Sequence, residues 1–315
     1  MCSTARFGAP SLAHSRHQRE GPSQSELPAT VDVSNVHVNG VQYNIVDQGM
    51  GPAIMLLHGF TGSVSTWTNL TSVIGERHRV IAIDLLGHGQ SEAPADPSRY
   101  SMPETIADVF AILDCLEISS LSLLGYSLGG RVALSLAVAA PAQIDRLILE
   151  SASPGLASSV ERSDRLQSDE RLAEILDRDG LEAFVDRWEQ VPLLSSQRTL
   201  APTVRDRLRR QRLQGNAIGL AGSLRGMGTG MMPPMYDRLP EVTCPTLLVV
   251  GDLDQKYRTV GETLALGLPD AKLLVVPGAG HAVHLEQPDL FAGLVSEFLD
   301  PNLAERGGVR TEKMS

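Results

Sequence analysis

Short continuous apolar runs punctuate the chain at Ala53 to Leu57, Val80 to Ile83, Leu121 to Leu124, Leu147 to Leu149, Thr246 to Val250 and Leu273 to Val276. Runs this short, without polar alternation, read as strands buried on both faces. Helical stretches separate most of them, and that alternation predicts a mostly parallel sheet with helices on both faces. Ahead of it, Val33 to Val38 and Val41 to Val46 flank Asn39-Gly40, a pair that supplies the positive φ values of a tight two-residue turn, so a β-hairpin is expected there. Between about Gly155 and Pro240 the rhythm breaks. Leu166, Leu172, Ile175 and Leu176 recur at helical spacing and no strand candidate appears, which predicts an inserted helical cap. Within it, Gly226, Gly228, Gly230, Pro233 and Pro234 predict a flexible loop that gates access. The expected organisation is a core over residues 31–154 and 241–300, a cap over 155–240, a disordered extension over 1–30 and a disordered tail over 301–315. The extension mixes Ser, Pro, Gly, His and Arg with no apolar periodicity, and such a segment does not repay the entropy of ordering.

Composition narrows the classes. The chain has 315 residues, enough to bury a substantial core, and no apolar stretch long enough to span a bilayer. A net charge of -10 argues against a nucleic-acid partner, because phosphate binding needs a basic face. Three widely spaced cysteines argue against a disulfide framework or a zinc site and fit a reducing cytoplasm. Charge is unevenly placed, however. The cap holds 13 arginines, no lysine and 12 acids, and the planar guanidinium fork suits carboxylates.

The chemistry centres on Gly125-Tyr126-Ser127-Leu128-Gly129, a Gly-x-Ser-x-Gly string between a strand candidate and an apolar helix candidate. There a sharp turn presents the hydroxyl clear of the backbone. A serine needs an imidazole to take its proton and a carboxylate to hold that imidazole, in the chain order Ser, acid, His. Asp254 is the preferred acid, with Asp252 an open alternative; His281, in Gly278-Ala279-Gly280-His281, is the preferred base, with His284 its local rival. His58 and His88 each sit beside a turn glycine outside that order and read as structural. The oxyanion hole is expected from the N–H groups of Leu128, directly after the nucleophile, and Phe60, in the loop after an early strand. No metal or cofactor is expected.

With LHGF, DLLGHGQS, GYSLGG, GDLD and GAGH in this order, the chain resembles the α/β-hydrolase superfamily over residues 33 to 300. GYSLGGRVAL, ESASPGL, the Glu161 to Arg165 stretch, FVDRWEQVPLLSSQ, GLAGSLRGMGTG, GDLDQKY and GAGHAVHLEQP resemble, more narrowly, the branch containing 2-succinyl-6-hydroxy-2,4-cyclohexadiene-1-carboxylate synthase. That resemblance implies an α/β-hydrolase fold with a helical cap and a lyase that eliminates pyruvate in menaquinone or phylloquinone biosynthesis. It implies a small polycarboxylate substrate held by Arg131, Arg162 and Arg212, with Tyr126 and Trp188 in the pocket. The alignment leaves Arg165 as an alternative to Arg162. A carboxylesterase or carbon-carbon hydrolase remains the other enzyme reading, because the same three side chains run acyl transfer.

Overall fold

The computed structural model describes residues 4–6 and 32–301. A three-residue strand, β1 (Thr4–Arg6), pairs antiparallel with β2 (Asp32–Val38). The rest of the expectations for 1–30 and for the tail after 301 lies outside the described residues. Asn39 and Gly40 take φ of 48° and 82°, the two left-handed positions of the tight turn, and join β2 to β3 (Val41–Gln48).

The sheet continues through β4 (Ala53–Leu57), β5 (Arg79–Ile83), β6 (Leu121–Tyr126), β7 (Ile144–Glu150), β8 (Thr246–Gly251) and β9 (Ala271–Val276). Its order is β1-β2-β3-β5-β4-β6-β7-β8-β9, antiparallel as far as the β3·β5 pair and parallel beyond it. The apolar runs of the inner strands are continuous because both faces are covered, whereas β9, at the sheet edge, leaves Lys272 and Val275 exposed and is only partly buried, contrary to expectation. Met55, Leu57, Ile81, Ile83, Leu121 and Leu123 point to one core, while Ile54, Leu56, Val80, Ala82 and Leu124 point to the other. Helices α2 (Met102–Cys115) and α3 (Leu128–Ala139) pack in the first core. Helix α1 (Thr68–Ile74) packs in the second, with the C-terminal helix Pro288–Leu299. Among the described residues, no helix is long and apolar enough to cross a membrane.

The cap leaves the core after β7. It comprises α4 (Ser159–Trp188), broken at Gly180 where φ is 82°, then α5 (Pro202–Leu213) and α6 (Ala217–Met227). Ala173, Leu176, Phe184, Val185, Leu220, Ala221 and Leu224 give these helices a core of their own. Helix α6 docks on the sheet domain through small residues: Gly219 lies on Gly87, while Gly222 and Gly226 lie on Tyr100, at distances that exclude a Cβ. Residues 228–235 form a loop, as expected, but its glycines are tightly packed and Gly226 lies outside it. Gly226 belongs to α6, Gly228 backs onto Asp169 and Gly230 onto the Arg162 carbonyl and Leu166, so these glycines serve close packing.

Candidate active site

Ser127 occupies the turn between β6 and α3 with φ 51° and ψ -104°, a strained conformation for a residue with a Cβ. The turn is held from below by the Ser127 N–H donating to the Glu150 carbonyl at 2.9 Å. Glycine is required on either side: a Cβ on Gly125 meets the Gly129 carbonyl, and one on Gly129 meets the Leu57 carbonyl. The motif is therefore a packing requirement that lets strand and helix approach closely enough to thrust the hydroxyl outward.

His281 follows β9, where its Nε2 lies 3.1 Å from Ser127 Oγ and its Nδ1 2.7 Å from Asp254 Oδ2. Asp254 also caps α7 (Gln255–Gly267), accepting from the Tyr257 N–H at 3.2 Å through its other oxygen. One carboxylate thus fixes a helix start and an imidazole together. Asp252 and His284, the alternatives in the sequence, are engaged elsewhere. Asp252 accepts from the Gly278 N–H at 2.8 Å, and His284 meets the buried Glu150 carboxylate through its N–H and Nδ1, both at 2.9 Å. Glu286 braces the histidine loop, accepting from the Gly280 N–H at 2.7 Å and from cap Ser196 Oγ at 3.0 Å.

Phe60 and Leu128 both border the cavity over Ser127, and among the described residues neither backbone N–H is paired with an acceptor. Leu128 opens α3, so its N–H is one of the donors a helix start leaves unpaired. Phe60 stands edge-on to Trp188 at 5.2 Å between ring centroids, and Trp188 stacks on Phe184 at 5.9 Å. Tyr126 lines the same cavity, its ring against Gly59 and 5.4 Å from that of His281.

Three arginines border this cavity: Arg131, Arg165 and Arg212. Arg131 is buried, donates through Nη1 to the Met227 carbonyl at 2.6 Å and forms no ion pair among the described residues. Loss of solvent pulls its pKa down to about 10, with Arg165 adding to the fall and Asp169 opposing it, so it remains a cation at neutral pH. Arg212 is held by Glu189 at 3.1 Å and Gln197 at 2.7 Å; burial lowers its pKa, and Glu189 opposes that shift. Arg162 does not line the cavity. The Leu156 and Ala157 carbonyls, each 2.8 Å from its Nη1, hold it at the start of the cap. Arg165, three residues along α4, stands in its place, braced through Nε by Asp169 at 2.8 Å.

Tyr257, Gln197 and Ser223 also line the cavity and were not singled out in the sequence. The Tyr257 ring lies 4.5 Å from that of His281, and its place three residues after a capping aspartate is the signal that marks it.

His58 and His88 hold the neighbouring loops rather than the serine. The Leu85 N–H donates to His58 Nε2 at 3.0 Å, which leaves Nδ1 to donate to the Gly59 carbonyl at 2.8 Å. Burial depresses the His58 pKa to about 4 and the His88 pKa to about 3. A depressed imidazole contributes stability above its unfolded pKa of about 6.5 and loses it as pH falls toward the folded value, on the order of 3 kcal/mol for His58. The urea midpoint is therefore expected to fall between pH 6.5 and 4; a flat midpoint across that window would contradict the assignment.

Comparison with known proteins accords with this architecture. The α/β-hydrolase fold family model matches residues 52–288. The chain belongs to the α/β-hydrolase family. Over 263 residues, 83% of this chain and 96% of the relative, it is 45% identical to a putative 2-succinyl-6-hydroxy-2,4-cyclohexadiene-1-carboxylate synthase of Bacillus subtilis (strain 168). It is 31% identical over 248 residues, 79% of this chain and 92% of the relative, to the synthase of that name from Enterobacter sp. (strain 638). Among solved structures it superposes on MenH from S. aureus with a TM-score of 0.79 at 33% identity, covering 83% of this chain and 98% of that one. Within the family it is an enzyme of this synthase type.

Proposed function

We propose that this enzyme eliminates pyruvate from 2-succinyl-5-enolpyruvyl-6-hydroxy-3-cyclohexene-1-carboxylate to give 2-succinyl-6-hydroxy-2,4-cyclohexadiene-1-carboxylate, in the cytoplasmic route to menaquinone or phylloquinone. The observation that carries this reading is a histidine-linked serine sharing one cavity with Arg131, Arg165 and Arg212. The substrate bears carboxylates on its ring, its succinyl arm and its enolpyruvyl group, and guanidinium groups are suited to hold them.

The bonds balance without water. Ser127 Oγ takes the proton from ring carbon 2 as its own proton passes to His281 Nε2, while Asp254 holds Nδ1–H and offsets the imidazolium charge. The electron pair of that C–H bond becomes the C2–C3 double bond, the ring double bond moves to C4–C5, and the C5–O bond breaks. Pyruvate leaves as its enolate and takes up the proton that His281 releases. Negative charge that develops on the succinyl ketone faces the Phe60 and Leu128 N–H groups.

Arg131→Ala is expected to lower kcat/KM for pyruvate release by roughly 10- to 100-fold, the worth of a hydrogen bond to a charged group. Arg162→Ala is expected to change it by less than about threefold, as for a surface position. Equal losses in the two variants would contradict the replacement of Arg162 by Arg165. The unpaired oxyanion donors also suit an acyl-transfer enzyme acting on a small carboxylated substrate. Efficient turnover of neutral esters with a trapped acyl-Ser127 would favour that second reading.

A further inference from the structure

Helix α5, PTVRDRLRRQRL, carries five arginines and one acid in a chain whose net charge is -10. Its inward side, Leu208, Gln211 and Arg212, borders the catalytic cavity. Arg209 and Arg212 are committed to acids: Arg209 to Asp186 at 2.7 Å and Glu189 at 3.0 Å, Arg212 to Glu189 at 3.1 Å. Arg205, Arg207 and Arg210 are exposed and form no ion pair among the described residues.

These three free charges face two different clefts. Arg205 opens with Arg209 on the Glu189 side of the helix. Arg207 and Arg210 line the opposite cleft, between α5, the core segment 65–72 and the His284-Leu285 turn. That second cleft shares Thr66, Leu208, Gln211, His284 and Leu285 with the wall of the catalytic cavity. Part of the partition is Gln211, whose Nε2 donates to Thr66 Oγ1 at 3.1 Å and Ser63 Oγ at 3.3 Å. Bonds between neutral groups of this kind exchange readily for bonds to water.

We propose that Arg207 and Arg210 form an outer capture site for the multiply anionic substrate, which reaches Ser127 through this cleft past Gln211. The inference rests on the polycarboxylate reading of the active site. An acidic protein repels a polyanion over most of its surface, and a cleft of the opposite sign concentrates the field at its mouth. The Arg205 cleft also meets the cavity wall, at Leu194, Gln197, Leu208 and Arg212, but Glu189 and Asp206 line it, whereas no acid among the described residues lines the cleft of Arg207 and Arg210, so the uncancelled positive field marks that route.

The test compares Arg207→Ala/Arg210→Ala with Arg205→Ala, which removes a charge from the same helix but from the other cleft. Pyruvate release is measured at about 0.01 M and about 1 M salt, where the screening length falls from about 30 Å to about 3 Å. The double variant is expected to lose about tenfold in kcat/KM at low salt and under twofold at high salt, with kcat unchanged. Arg205→Ala is expected to stay within about twofold at both. An equal loss in Arg205→Ala, a loss that persists at high salt, a fall in kcat or an unaffected double variant would each overturn the proposed route while leaving the substrate reading intact. Wild-type protein that releases no pyruvate would instead overturn the substrate reading and this inference with it.

Discussion

Ser127→Ala is expected to lower the rate of pyruvate release by roughly 10²- to 10⁴-fold, the usual worth of a positioned proton-transfer group. The reason is geometric. Ser127 Oγ lies 3.1 Å from His281 Nε2, both residues lining the cavity, on a turn that thrusts the hydroxyl outward at φ 51°. Alanine tolerates the same backbone no better and no worse, so the fold is expected to persist with an unchanged melting temperature. A coupled assay that follows pyruvate reads the effect directly. A rate within a few-fold of wild type would mean that the histidine removes the proton without the serine, and the proposed role of Ser127 would be lost.

Asp254→Asn is the second large effect, expected at roughly 10⁴-fold in kcat, the size of the same change in a serine-protease triad. An asparagine amide placed 2.7 Å from His281 Nδ1 would donate to that nitrogen, driving the ring hydrogen onto Nε2. Nε2 then has no lone pair with which to accept the serine proton. Asp252→Asn supplies the control. Among the described residues its carboxylate accepts from the exposed Gly278 N–H alone, and a change there is expected to stay within about twofold. If Asp252→Asn were the damaging variant, the acid would have been misassigned between two residues of one turn.

The parallel strands were legible in the sequence because both faces of the sheet are buried, so Ala53 to Leu57 or Thr246 to Val250 needed no alternation to be read. Ser127 was legible through its flanking glycines, whose absent side chains let backbone approach backbone. The cap was harder. Helix α4 carries charges on nearly every face, and nothing in its spacing says that Arg165 borders the cavity while Arg162 is tied back by the Leu156 and Ala157 carbonyls. The glycines near residue 228 read as looseness because their partners, Tyr100 and Asp169, come from distant parts of the chain. Glu150 and Glu286 escaped notice for the same reason. Glu150 holds His284, 134 residues away, and Glu286 reaches up to Ser196 of the cap, 90 residues away.

The most direct measurement incubates the wild-type protein with 2-succinyl-5-enolpyruvyl-6-hydroxy-3-cyclohexene-1-carboxylate while pyruvate and the conjugated ring diene are followed together. The expected result is the two products in equal amounts at every time point, with the intact mass of the protein unchanged throughout. Absence of pyruvate, or a covalent adduct accumulating on Ser127, would contradict an elimination in which that serine acts only as a base.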